Sequence, residues 1–197
     1  MTSDGREGQP RATRSGEKAE LRLRIGAARA SRPSDPAGDD ARTARALAAC
    51  AGVPVVAAYV SRPGEPDTLA LIEHLRQADV RVLLPVLRRA PDWAWYTGPD
   101  DLAPGPLGIA APTGPPLGPE ALGTAGWVWL PGLAGTPDGR RLGTGGGWYD
   151  RALAWSAAHA RRGLLLFDEE VLPDVPTDSW DVPVHLVVTE RRRIDAE

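Results

Sequence analysis

Two short, largely apolar runs constrain the fold of this chain more than any other feature of its sequence. They are Val53–Val60 and Val80–Leu87. Apolar runs of this length that lack alternation are typical of strands buried on both faces of a parallel sheet. A helical pattern near Asp67–Ala78 lies between them, so the sequence predicts a strand–helix–strand unit with a crossover connection.

The rest of the chain continues this alternation and predicts an α/β fold: a single three-layer domain over residues 17–197, with a mainly parallel sheet flanked by helices. Residues 1–16 are polar and predict a disordered N-terminal tail. Residues 99–126 are rich in Gly and Pro and predict a loop. One predicted helix begins at about Glu17 and ends before Pro33, a second covers Ala37–Ala51, and another runs from Trp148 to about Arg161. The predicted strands are Trp93–Thr97 at an edge, Trp127–Leu130, Gly163–Phe167 and Val184–Thr189.

Composition and charge exclude several classes of function. The net charge of −3 does not favour a nucleic-acid partner. No apolar run approaches the ~18 residues of a membrane helix, and the first residues have no signal-peptide core. We therefore expect a cytoplasmic protein. The single cysteine, Cys50, lies in an Ala-rich helical stretch and predicts a buried structural thiol.

The glycine-rich loop Gly143–Gly147 is the most informative local segment. It lies between a strand that ends at Leu130 and a helix that begins near Trp148. Converging backbone N–H groups at such a loop can bind phosphate, and Arg140 and Arg141 could add charge-assisted bonds. No Gly-Lys-Ser/Thr follows, so the loop is not a P-loop. From spacing alone, a flexible turn between strand and helix remains an equal alternative.

A longer pattern around this loop resembles a known family. PGLAG at 131–135 and RRLGTGGGWYDR at 140–151 are similar to the motif of the 5-formyltetrahydrofolate cyclo-ligases. A Lys-x-x-Leu-Arg start fits Lys18–Arg22, a Glu-x-Asp/Glu-Thr element fits Glu65–Thr68, and Asp-x-Pro-Val followed by Val-Val-Thr fits Asp181–Thr189. The resemblance therefore covers most of the chain.

The resemblance implies an enzyme that uses ATP and Mg²⁺ to convert 5-formyltetrahydrofolate to 5,10-methenyltetrahydrofolate, with release of ADP and phosphate. ATP would phosphorylate the formyl oxygen, and N10 would then attack the activated carbon. The partners would be these two small molecules, with neither nucleic acid nor membrane, and we expect a monomer. Positioning and charge neutralisation would supply most of the catalysis.

The resemblance also implies roles for particular residues. Arg141 and Tyr149 would be catalytic, and Asp150 would hold Mg²⁺. Val60, Glu65 and Tyr149 would bind the folate. The nucleotide would be bound by Lys18, Arg22, Arg141, Leu142, Gly143, Thr144, Gly145, Gly146, Gly147, Trp148 and Tyr149. Lys18 is the only lysine among 23 basic residues, which suggests that arginine cannot replace it.

Four positions depart from the family pattern: Ala111, Gly126, Trp180 and His185. Carboxylates are common at the positions of Ala111, Gly126 and His185, and Trp180 replaces the histidine of a Glu-x-His-Asp element. These departures leave open a catalytically weakened relative that binds folate or nucleotide in a regulatory or buffering role. A sugar-phosphate enzyme on a similar scaffold is a further alternative, because phosphate-binding loops recur across folds.

Overall fold

A seven-stranded, mostly parallel sheet forms the centre of the molecule, as seen in a computed structural model that describes residues 11–196. The strands are β1 (Val55–Ala57), β2 (Arg81–Pro85), β3 (Trp93–Tyr96), β6 (Trp127–Leu130), β9 (Arg161–Leu165), β10 (Leu186–Val188) and β11 (Arg193–Asp195). Their order in the sheet is β11-β10-β9-β6-β1-β2-β3. The five inner strands are parallel, and β3 and β11 run antiparallel to them at the two edges.

Helices cover both faces of this sheet, which confirms the predicted α/β fold. They are α1 (Arg11–Ala30), α2 (Pro36–Ala49), α3 (Leu69–Gln77) and α4 (Trp148–Leu153). Alternate residues of β1 pack on opposite faces: Val56 packs in the cluster with α2 and α3, while Ala57 packs in the cluster with α4. The predicted burial of Cys50 is also confirmed, since it lies in the α2–α3 layer and burial raises the pKa of its thiol.

Two predicted boundaries were wrong. Residues 11–16, assigned to the disordered tail, form the first turns of α1, because the two arginines and the alanine of this segment are good helix formers that extend the helix from its packed part. Residues 1–10 of that predicted tail lie outside the described part of the chain. The last helix ends at Leu153 instead of near Arg161. The N–H of Trp155 bonds to Ala152 and that of Ser156 to Leu153, so tight turns replace the helix.

Two small hairpins and one strand have little sequence signal. The predicted loop 99–126 contains β4 (Leu102–Pro104), paired with β5 (Ala110–Pro112). A second hairpin joins β7 (Ala134–Gly135) to β8 (Arg141–Leu142). The edge strand β11 alternates charged and apolar residues over only three positions and was not predicted. No helix in residues 11–196 is long and apolar enough to cross a membrane.

The order of the strands predicts where a ligand binds. From β1 the chain first adds β2 on one side and later adds β6 on the other, so the direction of winding reverses between β1 and β6. In open α/β sheets, ligands bind outside the carboxyl ends of the strands at such a switch point. The segments that follow β1 and β6 begin at Ala58 and Pro131, and they enter the cleft described next.

Candidate active site

A cleft of about 560 Å³ opens at the carboxyl ends of β1, β2 and β6. Its walls come from α1, the loops after these three strands, the glycine-rich loop and a turn around Trp180. Apart from Arg140, every residue predicted to bind nucleotide, folate or metal lines this cleft: Lys18, Arg22, Val60, Glu65 and the whole stretch from Arg141 to Asp150. The fold therefore brings together candidates from three separate parts of the chain: α1, the loop after β1 and residues 141–150.

Helix α1 is held against the β7–β8 hairpin by a small apolar cluster. Ile25 packs with Leu133 and Leu142 in this cluster. One turn further along the helix, the buried Arg29 donates 2.7 and 2.8 Å hydrogen bonds to Glu170 and a 2.9 Å bond to the carbonyl of Gly132. These contacts fix the position of α1 relative to the end of β6, and so direct its N-terminal half into the cleft.

Lys18 is buried at one wall of the cleft and is held by two carboxylates. Its Nζ donates hydrogen bonds of 2.6 Å to Asp178 and 2.8 Å to Asp181. Burial alone would lower the pKa of this lysine, but the two carboxylates outweigh it and raise the pKa above its ordinary value. An ammonium has three donors, so one N–H of Lys18 remains for a ligand.

The glycine-rich loop adopts backbone conformations that a side chain would strain. Gly145 has φ +102°, and Gly147, at the N-terminus of α4, has φ +60°. A Cβ at Gly145 would stand 3.3 Å from Cζ of Arg22, whose Nε donates a 2.9 Å hydrogen bond to the carbonyl of Gly143. The backbone of residues 144–146 is exposed to the cleft, as an anion-binding loop requires.

Arg141 and Asp150 form an ion pair across the base of the loop. A terminal nitrogen of the buried Arg141 donates to Oδ1 of Asp150, and its Nε is buried without a partner. Its neighbour Arg140 does not line the cleft and instead pairs with Asp138 and Asp174, so its predicted role in phosphate binding was wrong. Arg141 lies within the short strand β8 and Arg140 just before it, and adjacent extended residues point to opposite sides.

The side chains around Asp150 bear on its predicted role as a Mg²⁺ ligand. Among the described residues, no group of three His, Cys, Asp or Glu side chains could hold a metal ion. The cleft carboxylates already have cationic partners, Arg141 for Asp150 and Lys18 for Asp178 and Asp181. A Mg²⁺ site completed by substrate phosphates and water still fits, because Mg²⁺ commonly takes only one or two protein carboxylates in nucleotide sites.

Another part of the cleft lining is aromatic and apolar. Tyr59 and Val60 follow β1, and burial raises the pKa of Tyr59 and of Tyr149 far above the ordinary value. Glu65 is turned back onto Arg62, accepting a 2.8 Å bond from its guanidinium and a 2.9 Å bond from its backbone N–H. Glu65 thus presents a positioned carboxylate next to an uncharged aromatic wall.

The departures from the family pattern fall mostly outside the cleft. Ala111, Gly126 and His185 do not line it. Gly126 lies at the amino end of β6, and the ring of His185 is engaged by Arg162, whose backbone N–H donates to Nδ1 at 2.9 Å. A metal role for His185 therefore has no structural support. Trp180 does line the cleft, between the two aspartates that hold Lys18.

Several residues of the cleft were not predicted from the sequence. Asp181 was noted only as part of a motif, and the contacts of Asp178 and Asp181 with Lys18 span 160 and 163 residues of chain. Tyr59 was visible only as part of an apolar run.

Comparison with known proteins gives a consistent result. Residues 14–190 match the 5-formyltetrahydrofolate cyclo-ligase family. A 5-formyltetrahydrofolate cyclo-ligase of Mycolicibacterium smegmatis is 36% identical over 148 residues, covering 72% of this chain and 76% of that protein. The Escherichia coli K12 enzyme of the same name is 34% identical, covering 68% and 76%.

Solved structures agree with this match. The NMR structure of Aquifex aeolicus 5,10-methenyltetrahydrofolate synthetase has a TM-score of 0.78 at 26% identity, over 91% of this chain and 93% of that one. The structure of a 5,10-methenyltetrahydrofolate synthetase from Mycoplasma pneumoniae has a TM-score of 0.70 at 18% identity, over 88% and 99%, and this similarity supports the fold.

Proposed function

Because the chain belongs to the 5-formyltetrahydrofolate cyclo-ligase family and is an enzyme of that type, we propose that its cleft binds ATP beside 5-formyltetrahydrofolate and forms 5,10-methenyltetrahydrofolate. The observation that carries the proposal is that one cleft at the switch point of the sheet is lined by a glycine-rich loop, by Lys18, Arg22 and Arg141, and by an aromatic wall. The family assignment also removes the sugar-phosphate alternative.

The phosphates of ATP would lie between α1 and the glycine-rich loop. Lys18, Arg22 and Arg141 supply three positive charges there, and the exposed backbone of residues 144–146 supplies N–H donors. Buried charges of this kind act in a water-poor site, where their effect on a transferring phosphoryl group is greatest. Arg141 is the best placed of the three for catalysis, because it is buried and has an unpaired Nε.

The folate would contact the aromatic and apolar part of the cleft lining. Val60 and Tyr149 offer apolar and aromatic surface, and the carboxylate of Glu65 can accept from an amino and ring N–H pair. The raised pKa of Tyr149 keeps its hydroxyl protonated, so it can donate a hydrogen bond to a developing negative charge but cannot serve as a base.

The reaction itself needs positioning more than covalent catalysis. The formyl oxygen attacks the γ-phosphorus of ATP, and ADP leaves. The N10 nitrogen of the same folate then attacks the activated carbon and loses its proton, and the C–O bond breaks with phosphate as leaving group, which can carry that proton away. Both nucleophiles belong to the folate, so no nucleophile of the protein is required. Mg²⁺ would neutralise phosphate charge, and Asp150 would hold it through Oδ2, because Arg141 engages Oδ1.

An absorbance assay tests this proposal. Purified protein is mixed with 5-formyltetrahydrofolate, ATP and Mg²⁺, and the appearance of the methenyl product is followed. Omission of ATP and the variant Gly145→Asp, which puts a negative charge into the loop, are the controls. We expect product only with ATP, and a loss of at least ~100-fold in the variant, since both repulsion and backbone strain act there. Folded wild-type protein that forms no product would refute the proposal.

A further inference from the structure

We propose that Trp180 is the stacking surface for the adenine base of ATP and thereby a further nucleotide-binding residue of the cleft. This inference rests on the proposed binding of ATP phosphates by Lys18 and the glycine-rich loop. It adds a position for the base, which none of the residues named so far supplies.

The exposure of Trp180 is the first observation. Trp93, Trp127 and Trp129 are buried in the core, whereas Trp180 keeps 55% of its surface exposed and lines the cleft. Large aromatic side chains exposed to water at a cleft commonly mark binding surfaces. The other aromatic residues of the cleft, such as Tyr59, are buried or half-buried and form its floor.

The fixed position of Trp180 is the second observation. It lies in a turn in which Asp181 accepts a 2.8 Å hydrogen bond from the backbone N–H of Asp178, and the N–H of Asp181 bonds back to the carbonyl of Asp178. Both carboxylates are held by Lys18. The turn that carries Trp180 is therefore joined by two ion pairs to the lysine that is proposed to bind phosphate.

The geometry favours adenine over the pterin ring. The residues proposed for the pterin, Val60 and Glu65, follow β1, whereas Trp180 belongs to the turn that contacts α1. Trp180 lies two residues after Asp178 and directly before Asp181, the two partners of Lys18, so it is tied to the proposed phosphate site and not to the segment that carries Val60 and Glu65. Stacking tolerates any base, so the site should distinguish nucleotides weakly by base but strongly from a phosphate chain without one.

A binding experiment with matched ligands tests this. Calorimetry with ATP, GTP, inorganic tripolyphosphate and 5-formyltetrahydrofolate is performed on wild type, Trp180→Ala, Trp180→Phe and Trp155→Ala. Trp155 is a suitable control because it is similarly exposed, at 50%, but does not line the cleft. We expect Trp180→Ala to weaken ATP and GTP about tenfold and to leave tripolyphosphate unchanged, while Trp180→Phe retains most of the affinity.

The other outcomes are equally informative. An equal loss for ATP and tripolyphosphate would overturn stacking and show that Trp180 only holds the turn beside Lys18. A loss confined to 5-formyltetrahydrofolate would overturn the choice of ring, and Trp180→Ala behaving like Trp155→Ala would overturn the inference altogether. Wild-type protein that binds neither ATP nor tripolyphosphate would instead refute the proposed function.

Discussion

Arg22 donates a 2.9 Å hydrogen bond from Nε to the carbonyl oxygen of Gly143 and so joins the first helix to the glycine-rich loop, 121 residues later in the chain. The same guanidinium lies against the position that a Cβ would take at Gly145. The loop and the middle of α1 therefore form one unit, and substitutions in the loop should act through both backbone strain and the position of Arg22.

Two neighbouring glycines of the loop allow a matched comparison. Gly145 has φ +102° and faces Arg22, whereas Gly146 has an ordinary φ and open space around its Cβ position. We expect Gly145→Ala to lower kcat/KM for ATP about tenfold, because a left-handed conformation costs an L-residue about 1–2 kcal/mol. Gly146→Ala should remain within about twofold of wild type. Equal effects of the two substitutions in steady-state kinetics would contradict this account of the loop.

Replacement of Lys18 by arginine should weaken the binding of ATP even though the positive charge is retained. Its ammonium makes two short bonds to Asp178 and Asp181 in a buried position, and a planar guanidinium is longer and directs its donors differently. We expect Lys18→Arg to raise the KM for ATP about tenfold or more, the effect of losing a hydrogen bond between charged groups. The exposed Arg24 lies on the same helix, so Arg24→Lys should leave the KM unchanged. A Lys18→Arg enzyme with normal KM would refute the inference.

Glu169 and Glu170 are adjacent but differ in environment. Glu170 is buried and accepts two bonds from Arg29, whereas Glu169 is exposed and pairs with Arg32. We expect Glu170→Ala to lower the free energy of unfolding by about 3–5 kcal/mol, because it leaves a buried guanidinium without its partner. Glu169→Ala should cost about 1 kcal/mol or less. Urea denaturation of both variants provides the measurement, and similar midpoints would contradict the prediction.

Much of the fold could be predicted because its central strands are locally encoded. The runs that became β1, β2 and β6 are apolar on both sides, and that pattern needs no knowledge of the rest of the chain. Strand β11 has no such signal, because it lies at an edge and only Ile194 is apolar. The early end of α4 was also hidden, since the residues after Leu153 remain compatible with a helix and only the turn at Ser156 ends it.

The candidate site also has one part that could be predicted from the sequence and another part that could not. The glycine-rich loop is a continuous segment, so its chemistry could be inferred from the sequence. Lys18 contacts Asp178 and Asp181, which lie 160 and 163 residues away in the chain, and no local sequence pattern predicts such contacts. Arg140 and Arg141 are identical in type, and only the placement of β8 decides which one enters the cleft.

Glu73 should make stability depend on acidic pH. Hydrogen bonds from Arg76, and to a lesser degree from Gln77 and Tyr96, outweigh burial and lower the pKa of this carboxyl to about 2. Because the folded-state pKa is depressed, the stabilisation is present above the unfolded value of 4.5 and is lost as pH falls toward 2. We expect Glu73→Gln to lower the melting temperature at pH 7 but not near pH 2.

A control for this pH dependence is available on the first helix. Glu20 is exposed, so Glu20→Gln makes the same change in formal charge without removing the network around Glu73. Its melting temperature should follow that of wild type from pH 7 to pH 2. A constant difference between Glu73→Gln and wild type across this range would show that the network does not depend on the ionised carboxylate.

Asp150 allows its two possible roles to be separated, because it could hold Mg²⁺ through Oδ2 or serve only as the partner of Arg141. We expect Asp150→Asn and Asp150→Cys both to lose at least ~100-fold in kcat with Mg²⁺, since each removes the hard carboxylate ligand that this ion prefers. A thiolate binds soft metals, so Cd²⁺ should restore part of the activity of Asp150→Cys but none of that of Asp150→Asn. If Cd²⁺ rescues neither variant and both show the same raised KM for ATP as Arg141→Ala, Asp150 acts through Arg141 and the metal is held by the substrate phosphates alone.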